Sequence, residues 1–110
     1  MSPAPLLALC GVDEVNAEEP LRVEIDGFAY AVYRLGEKYF VTADQCTHGP
    51  GLLSEGAVIG EEIECPFHQG RFHIPSGVPT LPPCTEPVRV WTAHLCDGRI
   101  CIDPDERRSS

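Results

Sequence analysis

Short apolar runs separated by glycine and proline set the character of this chain. Leu21–Ile25 and Phe28–Leu35 are two such runs, and the Asp26-Gly27 pair between them suits the positive φ angles of a tight type I′ hairpin. A second turn at Gly36 leads into a strand over 39–42, where aromatic and β-branched residues favour extended backbone. Near the other end, 88–94 and 99–102 are predicted to close the fold as a hairpin around Asp97-Gly98. From 44 to 83 the runs shorten between Gly49, Pro50, Gly51, Gly56, Gly60, Pro66, Gly70, Pro75, Gly77, Pro79 and Pro82-Pro83. A stretch of that kind packs poorly alone and suggests organisation around a cofactor. Within it, 62–65 and 70–74 are predicted as small strands and 52–56 as a turn of helix. Residues 1–5 and 105–110 are expected to fray. The expected class is all-β and antiparallel.

Length changes the picture little: 110 residues make one domain, 1–110, with room for a single modest core. Charge excludes more. A net charge of -9, with Lys38 the one lysine, disfavours nucleic acid and anionic lipid, both of which present negative surfaces. No apolar run approaches the roughly 20 residues that cross a bilayer, and 6–12 lacks the basic flank of a secretion signal. The expectation is a cytoplasmic protein without a membrane or nucleic-acid partner. Six cysteines in a reducing compartment then point to thiols and a metal site rather than disulfides. A hairpin at Asp97-Gly98 would pair Cys96 with Arg99 and Cys101 with His94, leaving the two cysteines diagonal at roughly 7–8 Å, too far for an unstrained bridge.

The candidate chemistry lies in two compact boxes, Cys46-Thr47-His48 and Cys65-Pro66-Phe67-His68, which read C-x-H-x16-C-x2-H. Two loops each offering a thiolate and an imidazole can divide their ligands so that one iron takes both cysteines and the other both histidines. A Cys2His2 zinc site uses the same residue types, but its common spacings are C-x2-4-C and H-x3-5-H, and a cysteine nucleophile with a histidine base leaves the second pair without a task. His73 and His94 have no cysteine at ligand spacing. Cys10, Cys84, Cys96, Cys101 and Trp91 read as ordinary packed residues.

Through Cys46-Thr47-His48-Gly49 and Cys65-Pro66-Phe67-His68-Gln69-Gly70 the chain resembles the Rieske ferredoxins. The resemblance implies an all-β, Rieske-type antiparallel domain whose small inserted cluster-binding subdomain spans 44–83. It implies one 2Fe-2S cluster, with Cys46 and Cys65 on the buried iron and His48 and His68 on the outer one. Thr47, Gly49, Pro66 and Gly70 would shape the loops, and Pro82-Pro83 resembles the family's proline loop over a third side of the cluster. Two ferric ions, two sulfides and two thiolates carry no net charge with neutral imidazoles, so such a centre accepts an electron more readily than an all-cysteine one.

High-potential members of the family carry further cysteines that bridge the loops, and serine and tyrosine hydroxyls aimed at the cluster. Here Phe67, the cysteine-free stretch from Gly49 to Leu53, Gly70 and Phe72 stand in those places. The expected potential is therefore near the low end of the Rieske range, roughly -150 mV. The resemblance implies an electron carrier rather than a complete enzyme. It would be served by a flavin-containing NAD(P)H-dependent ferredoxin reductase and would supply a terminal Rieske non-haem iron oxygenase that hydroxylates aromatic compounds. The alternatives are a Rieske-like small subunit of an assimilatory nitrite reductase and a zinc-stabilised interaction module. Docking is expected at 49–52 and 67–69, beside an acidic face of Asp44, Glu55, Glu61, Glu62 and Glu64.

Overall fold

The structure, a computed structural model, describes residues 6–47, 51–66, 69–82 and 84–106. Its strands are β1 (Leu7–Gly11), β2 (Leu21–Ile25), β3 (Phe28–Leu35), β4 (Lys38–Ala43), β5 (Ala57–Ile59), β6 (Glu62–Glu64), β7 (Arg71–His73), β8 (Pro79–Leu81), β9 (Val90–Trp91), β10 (His94–Cys96) and β11 (Arg99–Ile102). Short 3-10 turns occupy Val12–Glu14 and Leu53–Glu55. All strand pairing is antiparallel, in three sheets ordered β1-β11-β10, β2-β3-β4-β9 and β5-β6-β7-β8. The all-β expectation holds.

The central sheet has a core on each face, which explains the unbroken apolar run of β3. Tyr30 and Val32 join Val41, Trp91, Leu9, Ile100 and Ile102 in a core shared with the first sheet. Ala31 and Tyr33 point the other way, into a core with Ile63 and Phe72 of the third sheet and with Cys46, Cys65 and Cys84. A strand buried on both faces gains nothing from alternation. Tyr33 keeps its hydroxyl satisfied inside that second core by a 2.8 Å hydrogen bond with Thr42 Oγ1, and burial pushes its phenol pKa upward.

Both Asp-Gly turns form as expected: Asp26 and Gly27 have φ of 52° and 81°, Asp97 and Gly98 of 52° and 78°. The second turn pairs Cys96 with Arg99 and His94 with Cys101, as read from the sequence. The predicted strand over 88–94 is corrected. Val90 and Trp91 pair with Thr42 and Val41 of β4, whereas His94 to Cys96 pair with β11, so the chain changes sheets at Thr92-Ala93. Trp91 decides this, because its ring packs edge-on to Phe28 and Tyr30 under the Arg89 guanidinium, 4.5 Å from the ring centroid.

The expected fraying at 105–106 is also corrected. The Glu106 carboxylate accepts hydrogen bonds from the Thr92 N–H and hydroxyl, both at 2.7 Å, and Arg89 donates to the carbonyls of Pro104 and Glu106. Residues 1–5 and 107–110 lie outside the described residues.

Between β4 and the 3-10 turn at Leu53–Glu55 sits a fully buried carboxylate. Asp44 is 0% exposed, accepts the Arg22 Nε–H at 3.0 Å and the Ser54 backbone N–H at 2.7 Å, and its carbonyl accepts the Leu53 N–H at 2.7 Å. It fastens the two ends of one loop to β2. Asp44→Ala leaves the Ser54 N–H without its acceptor and is expected to cost roughly 2–4 kcal/mol. Glu24→Ala, removing the exposed partner of the same arginine, is expected to cost under about 1 kcal/mol. Chemical denaturation of both variants checks this; equal losses would contradict the assignment.

Candidate metal centre

The two boxes open loops that close in the same way. The Cys46 N–H donates to the Gly51 carbonyl at 2.9 Å, and the Cys65 N–H donates to the Gly70 carbonyl at 2.8 Å. In each case the cysteine closes onto the residue five further along, and the chain between contains a predicted histidine ligand. His48 and His68, with Gly49, Pro50, Phe67 and Pro83, lie outside the described residues. A bridge between Gln45 and Leu52 and the Asp44 contacts hold the base of the first loop. The second loop leaves β6 and returns to β7, and Glu64 pairs with Arg71 across its neck.

Both cysteines are buried, Cys46 at 2% exposure and Cys65 at 0%, and neither is disulfide-bonded in the core that also holds Tyr33, Phe72 and Cys84. Cys84 had read as an ordinary packed residue. It is one, 5% exposed in this same core, where burial raises the pKa of its thiol. The signal for it in the sequence was its place directly after Pro82-Pro83, in the segment expected to cover a third side.

That segment does reach both loops. The Thr47 hydroxyl donates to the Glu86 carbonyl at 2.8 Å, tying it to the first. At the second, Gly70 packs so tightly that an added Cβ would overlap Cys84 Sγ and lie 3.1 Å from Cys84 N. Thr47 and Gly70 thus have concrete tasks.

The remaining candidates fall elsewhere. His73 Nδ1 lies 2.8 Å from Ser76 Oγ and Nε2 lies 3.4 Å from Glu61 Oε1, which braces the turn after β7. His94 is exposed on β10. On the first sheet Cys96 and Cys101 are not disulfide-bonded to one another. Burial, then the Glu14 carboxylate, pushes the Cys10 thiol up to about 11, and burial also raises Cys101. Thiols held protonated in this way are poor nucleophiles at neutral pH.

The expected acidic face is corrected in part. Asp44 is buried in its ion pair, and Arg71, three residues beyond His68, lies 3.5 Å from Glu62 and 3.2 Å from Glu64. Glu55 and Glu61 remain as exposed carboxylates of that set. Negative charge on this side is smaller than a count along the chain implies.

Among the described residues no three His, Cys, Asp or Glu side chains are placed to hold a metal. Two buried thiols on matching loops nevertheless suit a soft, sulfur-ligated iron centre, and the sequence of each loop contains a histidine. Residues 6–92 match the Rieske [2Fe-2S] domain family. The chain belongs to the Rieske [2Fe-2S] family. Its cofactor is a Rieske-type 2Fe-2S cluster.

This Rieske chain is 41% identical over 100 residues to the ferredoxin component of the p-cumate 2,3-dioxygenase system of Pseudomonas putida, covering 89% of this chain and 85% of that one. In three dimensions it is similar to a chain in the complex of reduced oxygenase and oxidized ferredoxin in carbazole 1,9a-dioxygenase. The TM-score is 0.87 at 35% identity, over 94% of this chain and 97% of that one. The small subunit of a putative NADPH nitrite reductase shares the fold at TM-score 0.75 and 20% identity, over 89% of this chain and 97% of that one.

The tight approach of Gly70 makes a direct prediction for the Rieske centre. Gly70→Ala must push the Cys84 segment off the second loop, at a cost of roughly 1–3 kcal/mol. Iron and sulfide per chain are expected to fall by about half or more while the far-ultraviolet spectrum of the sheets persists. Full iron content in this variant would show that the third segment does not brace the site.

Proposed function

We propose that this Rieske protein is the ferredoxin of an aromatic-ring-hydroxylating oxygenase system. It takes one electron at a time from a flavin-containing NAD(P)H-dependent reductase and passes it to a terminal Rieske non-haem iron oxygenase. The observation that carries the reading is the pair of matching loops, each opened by a buried cysteine and each containing a histidine. The likeness to ferredoxin components of dioxygenase systems supplies the partners. Nitrite reductase is supported by fold alone, at 20% identity.

In this reading Cys46 and Cys65 hold the inner iron and His48 and His68 the outer one, within a cluster-binding unit over 44–83. The bound cluster supplies one-electron redox chemistry. The chain's own residues do the rest. Burial of both thiols excludes water from the sulfur side, and the N–H to carbonyl closures keep the loops from opening. Asp44 anchors the first loop to β2, and Thr47 anchors it to the Cys84 segment. No substrate has to be bound or turned over, so the protein is a component and not a catalyst. Among the described residues no helix is long and apolar enough to cross a membrane, and a cytoplasmic location fits the reducing conditions that free thiols require.

The test is reconstitution. With a ferredoxin reductase, NADH and the terminal oxygenase of such a system, the holoprotein is expected to support hydroxylation of an aromatic substrate. His48→Ala and His68→Ala are expected to lower the rate at least about a hundredfold and to abolish the mixed His/Cys electron paramagnetic resonance signal. His73→Ala is expected to keep both. Signals that survive loss of His48 or His68, or vanish with His73, would reject the ligand set.

A further inference from the structure

Gly56 follows the 3-10 turn Leu53–Glu55 with φ of -88° and ψ of -172°, extended backbone that any residue adopts. Its missing side chain therefore serves space and not conformation. A Cβ at this position would overlap the carbonyl oxygen of Glu64, and it would lie 3.1 Å from the Glu64 carbonyl carbon and 3.2 Å from the Leu53 carbonyl oxygen. All three atoms are backbone, so no side chain can swing aside to make room. The Glu64 carbonyl belongs to the peptide unit that leads into Cys65, and a peptide unit is planar and stiff. Pushing that oxygen moves the cysteine with it.

The other end of the same turn is pinned to the first loop. The Asp44 carbonyl accepts the Leu53 N–H and its carboxylate accepts the Ser54 N–H, both at 2.7 Å, and Gln45 bridges to Leu52. Leu53 is 0% exposed, in the core that holds Cys46 and Cys65. Within the turn the Gly56 N–H closes onto the Leu53 carbonyl at 3.0 Å. Residues 52–56 thus form a short strut, fixed at one end to the base of the Cys46 loop and resting at the other on the peptide before Cys65. We infer that Gly56 is a positioning residue for the iron–sulfur centre: its bare Cα sets how closely the Cys46 loop approaches the Cys65 loop. The inference rests on the assignment of both cysteines to the inner iron. Two thiolates on one iron have to stand at a fixed separation, and such a constellation tolerates displacements of only about 0.5 Å.

The test compares wild-type holoprotein with Gly56→Ala, Leu53→Val and Gly60→Ala. Leu53→Val trims the core anchor of the strut and brings no overlap. Gly60 lies in the turn between β5 and β6 with φ of 62° and nothing within 4 Å of where a Cβ would stand, so its alanine strains the neighbouring hairpin without crowding either loop. In Gly56→Ala the principal g-values of the reduced cluster are expected to move, and iron release to a chelator is expected to quicken at least about tenfold, while the far-ultraviolet spectrum of the sheets persists. Leu53→Val is expected to act in the same sense by at least about threefold, and Gly60→Ala to keep the g-values and release iron within about twofold of wild type. Unchanged g-values and release in a folded Gly56→Ala, or changes as large in Gly60→Ala, would overturn the positioning role. Should Gly56→Ala not fold, Leu53→Val decides alone: moved g-values support the strut and wild-type values overturn it. A wild-type protein without the mixed His/Cys signal would fail the ligand assignment instead, which separates the two outcomes.

Discussion

The structure depends on keeping two thiols out of water at the mouths of two loops that must face one another. A loop of five or six residues rich in glycine and proline has little to hold it, and a redox centre tolerates little looseness. The answer is the same in both loops: the cysteine's own N–H closes onto the carbonyl five residues later, and its sulfur turns into the core. That hydrogen bond fixes the backbone while burial fixes the side chain. The rest of the fold supplies surfaces for the thiols to be buried against.

Three layers supply them. The central sheet is committed on both faces, to the first sheet through Tyr30, Val32 and Trp91 and to the third through Ala31 and Tyr33. Each loop is then tied to a different part of the chain. The first is anchored to β2 by Asp44 and Arg22, the second is drawn against Cys84 by Gly70, and Thr47 links the first to the same segment. Three chain segments from three regions of the sequence meet at the core that holds the two sulfurs.

What the sequence revealed and what it hid follow one physical division. Local signals were legible: Asp26-Gly27 and Asp97-Gly98 set their own turns, and the spacing of Cys46, His48, Cys65 and His68 shows by itself two boxes of one design. Features that depend on distant partners were not. β1 takes its pairing from β11, nearly the whole chain away. Val90 and Trp91 look continuous with His94 until two separate sheets claim them. Asp44 looks like one more surface acid until Arg22, on a strand two places back, takes it into the core. Cys84 looks like filler until Gly70, on the second loop, packs against its sulfur.

The central claim is that the two irons differ, one held by the buried cysteines and the other by the histidines of the same loops. Mössbauer spectroscopy of iron-57-enriched, reduced holoprotein tests it most directly. The account predicts two unequal iron sites in one-to-one ratio, a ferric site with sulfur-only ligation and a ferrous site with the larger isomer shift of nitrogen ligation. Two equivalent all-sulfur irons, or a single iron per chain, would contradict it.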